Sequence, residues 1–240
     1  MPIPLIAWAA AAAVLAATGG AWRYFFGSAT VPAECRDKLR IWVVGPTGVG
    51  KTTLIRAVLG RPVAPAAAGP LRTVRLAWHW EERLPLALAD TVGLELVRGA
   101  GQVSELASRL RRTPAAARPH AAWICVRDGA DRLFGADPAT ADGTEAALAR
   151  ALIAQGIPCI GVLTQSEADE EVPGGMAEAM RTAIPGLAAI VPVCVIPRLA
   201  TDGAELVPRH GLDRLRAATL AAVEPAPLPG LATGWPAYGW

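Results

Sequence analysis

The segment GPTGVGKTT, residues 45–53, constrains the fold more than any other part of this sequence. It directly follows the apolar run at residues 41–44 and fits the phosphate-binding pattern G-x-x-x-x-G-K-[ST]. Glycine accepts backbone angles that are closed to other residues, so successive N–H groups can surround phosphate oxygens. The apolar residues after Gly50 have helical spacing. A strand, a phosphate-binding loop and a helix are therefore predicted here, in preference to a glycine-rich turn that binds nothing.

The loop also carries side chains suited to phosphate chemistry. The residues predicted to contact the nucleotide are Gly45, Pro46, Thr47, Gly48, Val49, Gly50, Lys51, Thr52 and Thr53. The Lys51 ammonium would reach the terminal phosphates, which makes Lys51 a candidate catalytic residue, and the Thr52 hydroxyl would ligate Mg²⁺. Only two of the 23 basic residues are lysines, Lys38 and Lys51, so a lysine at this position is informative.

Strand-like and helix-like segments alternate through the middle of the chain. Strands are predicted at residues 41–44, 73–80, 84–89, 121–126, 157–164 and 188–196. Helices are predicted at residues 103–112, 142–155, 176–184 and 211–223, besides the helix after Gly50. The turn at residues 81–83 is so short that its two strands must form an antiparallel hairpin. The predicted fold is an α/β P-loop NTPase three-layer sandwich, with a mostly parallel six-stranded sheet and one antiparallel edge strand.

An acidic turn follows the hairpin. Residues 90–93 fill the pattern D-x-x-G, at a strand end about forty residues beyond the phosphate loop. The Asp90 carboxylate would hold Mg²⁺ through water. The N–H of Gly93 could approach the γ-phosphate because no side chain blocks it. Both residues are therefore predicted nucleotide-site residues, and Asp90 is a predicted metal residue.

From about Arg40 to Val223, the chain resembles the Era-like GTPases, the group that includes the TrmE and EngA type proteins and membrane-associated bacterial GTPases. The hairpin, the acidic turn and the segments PHAAWICVRDGADRLFGAD, GIPCIGVLTQSE and HGLDRLRAAT carry the resemblance. It implies GTP and GDP as ligands with Mg²⁺ as cofactor. It also makes Thr73 a switch threonine with a metal and catalytic role, and residues 60–73 and 93–101 the nucleotide-dependent loops.

The sequence departs from this family where the base is read. The family has [NT]-K-x-D after its fifth strand, whereas this chain has Thr164, Gln165, Ser166 and Glu167. A carboxylate there accepts two hydrogen bonds from guanine that adenine cannot offer. Glu167 keeps that carboxylate on a longer arm, so guanine remains preferred over adenine. Thr164, Gln165, Glu167 and Cys194, the last in the following base-binding motif, complete the predicted nucleotide site.

The positions that usually assist hydrolysis are also altered. Ras-like enzymes place a glutamine directly after D-x-x-G to orient the attacking water, and this chain has Leu94. Some relatives recruit potassium through a loop asparagine, but the corresponding residue here is Gly48. Arg72 is the nearest arginine that could act in cis. Slow intrinsic hydrolysis is therefore expected, with self-association or a protein partner needed for a faster rate.

The N-terminus is predicted to be a membrane anchor. Residues 3–17 are almost continuously apolar, and no charged side chain precedes Arg23. The stretch that ends at Trp22 just reaches the about 20 apolar residues needed to span a bilayer. The first positive charges follow it, which predicts a single-pass protein of the inner (cytoplasmic) membrane with its GTPase domain in the cytoplasm. A cleaved signal peptide is the alternative, since small residues suitable for cleavage follow the apolar run.

These features divide the chain into an anchor (1–26), a juxtamembrane linker (27–39), a GTPase domain (40–223) and a tail (224–240). The tail is rich in proline and glycine, and either packs loosely on the domain or serves as a docking peptide. The four cysteines show no metal-ligand spacing and are predicted to be buried thiols. A net charge of +2 with dispersed arginines makes no case for nucleic acid.

Two functions follow from these observations. The first is a membrane-anchored, Mg²⁺-dependent GTPase that hydrolyses GTP slowly and acts as a switch. The second is a pseudo-GTPase, a membrane scaffold without significant hydrolysis, which the altered base-reading motif favours.

Overall fold

The computed structural model describes residues 31–62, 77–91, 108, 111–114, 117–129, 144–170, 175–223 and 235. The strands are β1 (Leu39–Val44), β2 (Ala77–Trp80), β3 (Leu86–Asp90), β4 (Ala121–Arg127), β5 (Cys159–Thr164), β6 (Ala189–Val193), β7 (Arg198–Leu199) and β8 (Glu205–Val207). The helices are α1 (Lys51–Val58), α2 (Thr144–Ile153), α3 (Met176–Ala183) and α4 (Leu212–Val223). The predicted helix at 103–112 lies largely outside the described residues.

Six strands form one sheet in the order β2-β3-β1-β4-β5-β6. Strand β2 pairs antiparallel with β3. All the other neighbours in this sheet are parallel. The predicted mostly parallel six-stranded sheet with an antiparallel edge strand is confirmed.

Successive residues of a strand point to opposite faces of the sheet, and helices cover both faces here. In β4, Trp123 and Cys125 belong to the core beneath α1 and α4. Ile124 and Val126 belong to the core beneath α2 and α3. The continuous apolar strands of the sequence are therefore those of a sheet buried on both faces.

Several elements begin or end a few residues away from the predicted positions, and for β5 and β6 the reason is simple. Strand β5 begins at Cys159 rather than at residue 157, directly after a proline that lacks an N–H group. Strand β6 ends at Val193 rather than at residue 196, because Cys194 leaves the sheet and forms an antiparallel bridge with His210. Next to that bridge, a Cβ on Gly211 would lie 2.1 Å from the carbonyl oxygen of Pro192, so the two segments touch at their backbones.

The folded domain extends to the N-terminal side of the predicted boundary. Val31 and Cys35 are buried in a small cluster with Ala87 of β3, although the sequence analysis assigned residues 27–39 to a linker. Lys38 donates to the carbonyl oxygens of Glu81 and Glu82 at 3.1 and 3.2 Å, and also to that of Leu84. This lysine fastens the first described residues to the β2–β3 turn.

One residue of the C-terminal tail is part of the core. The Trp235 side chain is 1% exposed, and its ring centroid lies 6.4 Å from that of Trp123 in β4. Arg216 of α4 donates to the Trp235 carbonyl at 2.6 Å. The indole N–H of Trp123 donates to the Thr219 hydroxyl at 3.0 Å. The tail therefore packs on the domain at Trp235, which is one of the two interpretations predicted for it.

All four cysteines are free and buried, as predicted. Within the described part of the chain, no helix is long and apolar enough to cross a membrane. The predicted anchor at residues 1–26 lies outside the described residues.

Candidate functional site

The predicted site residues follow the carboxyl ends of the parallel strands. The phosphate loop follows β1, Asp90 ends β3, Thr164 ends β5 and Cys194 follows β6. Parallel strands end at the same edge of a sheet, where ligands of open α/β folds bind. The topology therefore brings together residues that are far apart in the sequence.

The phosphate loop has the backbone shape that its glycines permit. Gly48 and Gly50 have φ angles of 82° and 96°, which side chains disfavour. Gly45 has a φ of 154°, and a Cβ there would lie 2.3 Å from the carbonyl oxygen of Cys125. This loop therefore lies directly on the backbone of β4, and only glycine fits at its first position.

Lys51 is buried, with 6% of its surface exposed. Its ammonium donates to the carbonyl oxygens of Gly45 and Pro46 at 2.8 and 2.9 Å. These contacts hold the positive charge against the inside of the loop.

The predicted metal residues Thr52 and Asp90 are in direct contact. The Thr52 hydroxyl donates to the Asp90 Oδ2 at 2.6 Å, and the carboxylate is 1% exposed. Hydroxyl and carboxylate oxygens suit Mg²⁺, which binds few protein ligands and keeps waters and phosphate oxygens. No group of three or more His, Cys, Asp or Glu side chains that could hold a metal occurs among the described residues. This pair therefore fits a metal that the nucleotide helps to hold.

A cavity of about 950 Å³ lies beside the loop. Its lining includes the predicted residues Gly48, Val49, Gly50, Thr53, Thr164, Gln165, Glu167 and Cys194. It also includes Leu54, Arg127, Asp128, Gly129, Ala168, Val193, Val195, Ile196, Pro197 and Arg198, which the sequence analysis did not select. Parts of the predicted phosphate-binding and base-binding segments thus face one cavity, whereas Lys51, Thr52 and Asp90 are not among its lining residues.

The first two residues of the base-reading segment are tied to the phosphate loop. The Thr164 hydroxyl donates to the carbonyl oxygen of Val49 at 2.6 Å. Gln165 has a φ of 57°, and its Nε2 lies 3.8 Å from the position of a Cβ on Gly50. The end of the Gln165 side chain therefore lies close to the loop at Gly50.

The next residue holds this segment against the end of β4. Ser166 is 1% exposed, and its hydroxyl donates to the Asp128 Oδ2 at 2.5 Å. The backbone N–H of Asp128 donates to the Thr164 carbonyl at 2.9 Å, and the other Asp128 carboxylate oxygen accepts the Gly129 N–H. Asp128 therefore holds residues 164–166 against the end of β4.

Glu167 is ion-paired. Its Oε1 contacts the Arg198 Nη1, and the two side chains are 67% and 56% exposed. Both residues line the cavity. The carboxylate predicted to accept the guanine hydrogen bonds thus has a cation beside it.

Cys194 also lines the cavity. Its thiol donates to the carbonyl oxygen of Ile196 at 3.1 Å. Burial raises the pKa of this thiol, so it remains protonated at neutral pH. Cys194 therefore contributes shape and an uncharged surface rather than a nucleophile.

The family model described as a 50S ribosome-binding GTPase matches residues 40–165, more than half of the chain. The chain belongs to this GTPase family. No curated protein sequence matches it.

Solved structures that resemble the GTPase share little sequence with it. A dimerization-deficient mutant of Toc33 from Arabidopsis thaliana has 14% identity and a TM-score of 0.46, over 78% of this chain and 85% of that one. A GTP-binding protein from the hyperthermophilic archaeon Sulfolobus solfataricus, in complex with GDP, has 14% identity and a TM-score of 0.38. That alignment covers 77% of this chain and 52% of the archaeal chain, so the GTPase spans about half of the archaeal protein.

The family match covers the phosphate loop, Asp90, Thr164 and Gln165, and ends before Glu167 and Cys194. Two further predicted residues of the GTPase, Thr73 and Gly93, lie outside the described residues and remain predictions. The family match therefore spans the predicted phosphate-binding residues and only the start of the predicted base-binding residues 164–167.

Asp128 and Arg198 of the GTPase were not among the predicted site residues. Asp128 follows β4 directly, and a carboxylate at the carboxyl end of a central strand was a usable signal. Arg198 lies on a strand of two residues, too short for any periodic pattern. No sequence signal joined it to Glu167.

Proposed function

We propose that this protein is a membrane-anchored, Mg²⁺-dependent GTP-binding protein that hydrolyses GTP slowly and acts as a nucleotide-dependent switch. The observation that carries the proposal is a cavity lined both by residues 48–50 of the phosphate loop and by Thr164, Gln165 and Glu167. A ligand that satisfies both walls carries a phosphate chain at one end and a flat base at the other.

The phosphate end has a distinct role for each charged group. Lys51 would exchange its two carbonyl contacts for phosphate oxygens, because the ammonium already lies inside the loop. Thr52 and Asp90 would separate slightly to hold Mg²⁺, the second of them through water. The metal supplies charge neutralisation on the phosphates. Residues 60–73 and 93–101 would then respond to the γ-phosphate.

Nucleotide binding by the full-length protein tests the central proposal. Fluorescent GTP, GDP and ATP analogues should be titrated with and without Mg²⁺, with competition by the unlabelled nucleotides. We expect tighter binding of the guanine nucleotides and a loss of affinity when Mg²⁺ is chelated. Equal affinities for GTP and ATP would refute the guanine preference, and no binding of either nucleotide would favour the scaffold alternative.

Hydrolysis by the isolated protein is expected to be slow. The proposed rate is at or below about 10⁻³ per second, the order of unassisted Ras, because Leu94 cannot orient a water molecule. Potassium should stimulate the rate little, since Gly48 has no side chain to recruit the ion. Single-turnover phosphate release in sodium and in potassium buffers measures both quantities.

The Leu94→Gln variant is the matched test of this explanation. We expect it to accelerate phosphate release, because a glutamine amide at this position can hydrogen-bond to the attacking water. A parent turnover near one per second would refute the proposed slow reaction. A rate that rises steeply with protein concentration would instead identify self-association as the missing stimulus.

The anchor proposal predicts membrane retention. The full-length protein should sediment with membranes and resist extraction by carbonate or high salt, because residues 3–22 carry no charge. A matched chain that begins at residue 27 should be released. Recovery of a soluble protein shortened by about twenty residues would establish the cleaved signal peptide instead.

A further inference from the structure

We propose that Arg198 determines the guanine selectivity of this site by positioning the Glu167 carboxylate. The inference rests on the proposed function, since it concerns how the bound base is read. Arg198 is a positioning residue in this proposal and acts through Glu167.

The two residues reach the cavity from separate parts of the fold. Glu167 lies in the segment after β5, and Arg198 begins β7 in the small β7–β8 hairpin. Arg198 is paired with Val207 of β8 in that hairpin, and Val207 is 8% exposed. The arginine backbone is therefore anchored by a second strand while its side chain borders the cavity.

The ion pair offsets the additional conformational freedom that a glutamate has at this position. A glutamate has one more rotatable bond than an aspartate, and Glu167 is 67% exposed. Without a partner its carboxylate would sample many positions and would lose that freedom when a base binds. The contact with Arg198 restricts it to the cavity before the base arrives, which is preorganisation of the acceptor.

The pair leaves the carboxylate able to read guanine. An ionised carboxylate has two oxygens with about four lone-pair directions, and the contact between Arg198 Nη1 and Glu167 Oε1 occupies one of them. The remaining directions can accept the N1–H and N2–H of guanine together. Adenine offers neither donor at these positions and gains nothing from the arrangement.

A neighbouring ion pair supplies a matched control. Arg214 of α4 contacts Asp169, two residues beyond Glu167, and its side chain is 43% exposed. Neither Arg214 nor Asp169 lines the cavity. The two arginines therefore differ in whether the carboxylate they hold faces the base.

The experiment compares GDP, IDP and ADP on the full-length protein, by competition against a fluorescent GDP analogue. IDP lacks the guanine N2 amine, so the GDP:IDP affinity ratio reports that hydrogen bond. We expect Arg198→Gln to lower the GDP:ADP affinity ratio about tenfold and to bring the GDP:IDP ratio toward one, as for loss of one charge-assisted hydrogen bond. ADP affinity should change less than about twofold, since its phosphate contacts do not involve Arg198.

Three further variants separate positioning from a structural effect. Arg198→Lys should restore part of the GDP:ADP ratio because it keeps a cation without the planar geometry of guanidinium. In a Glu167→Gln background, Arg198→Gln should leave the ratio unchanged, because no carboxylate remains to position. Arg214→Gln should leave the GDP:ADP affinity ratio at the parent value.

Several results would overturn the inference. An unchanged GDP:ADP ratio in Arg198→Gln would do so, as would an equal loss with Arg214→Gln or an undiminished effect without the Glu167 carboxylate. A parent protein that fails to prefer GDP over ADP would instead refute the proposed guanine specificity itself.

Discussion

Replacing Lys51 with methionine is expected to lower the affinity for GTP and GDP by about a hundredfold or more, since each lost charge-assisted hydrogen bond costs about 1.5–3 kcal/mol. Methionine has a similar length and no charge, so it removes the ammonium with little change in volume. Because Lys51 also donates to the carbonyl oxygens of Gly45 and Pro46, a moderate fall in melting temperature should accompany the loss. Nucleotide titration and thermal unfolding of the same preparation measure the two effects.

Lys38 is the matched control, as the only other lysine of the chain. Its ammonium donates to three carbonyl oxygens of the β2–β3 turn, away from the cavity. Lys38→Met should therefore lower the melting temperature and leave nucleotide affinity unchanged. If both variants lost binding to the same degree, the assignment of Lys51 to the phosphates would be wrong.

Truncating Trp235 to alanine is expected to lower the free energy of unfolding by about 3–5 kcal/mol, the range for large core aromatic residues. The side chain is 1% exposed and packs against Trp123, so its removal would open a cavity above β4. Denaturant unfolding followed by circular dichroism measures the change.

An exposed apolar residue of the same domain provides the comparison. Leu206 in β8 is 64% exposed, and Leu206→Ala should change the free energy of unfolding by less than about 0.5 kcal/mol. An equally small effect of Trp235→Ala would show that the tail does not dock in solution as the structure describes.

The parts of the fold that follow from local pattern were predictable. The continuous apolar run of β4 and the strand, glycine-rich loop and helix around residues 45–53 are patterns of neighbouring residues, and they correctly predicted those elements. The pattern at the phosphate loop could be recognised because close backbone approach tolerates only glycine, as the contact between Gly45 and Cys125 illustrates.

The remaining features depend on contacts between distant segments. Trp235 lies in a tail rich in proline and glycine, where no periodicity marks a core residue. The burial of Lys51 results from the curl of its own loop, which composition does not reveal. The pairing of Glu167 with Arg198 requires the β7–β8 hairpin, whose strands have two and three residues. Such short elements carry no usable hydrophobic pattern.

The outer edge of β6 has a consequence for assembly. An edge strand normally offers a row of N–H and C=O groups on which a strand of another molecule can form. In β6, Pro192 removes one donor from that row, and the bridge between Cys194 and His210 occupies the backbone groups just beyond the strand. An incoming chain therefore cannot extend the sheet continuously past this edge. Fibre growth by strand addition at β6 is disfavoured, and a partner that stimulates hydrolysis would have to recognise side chains or another surface.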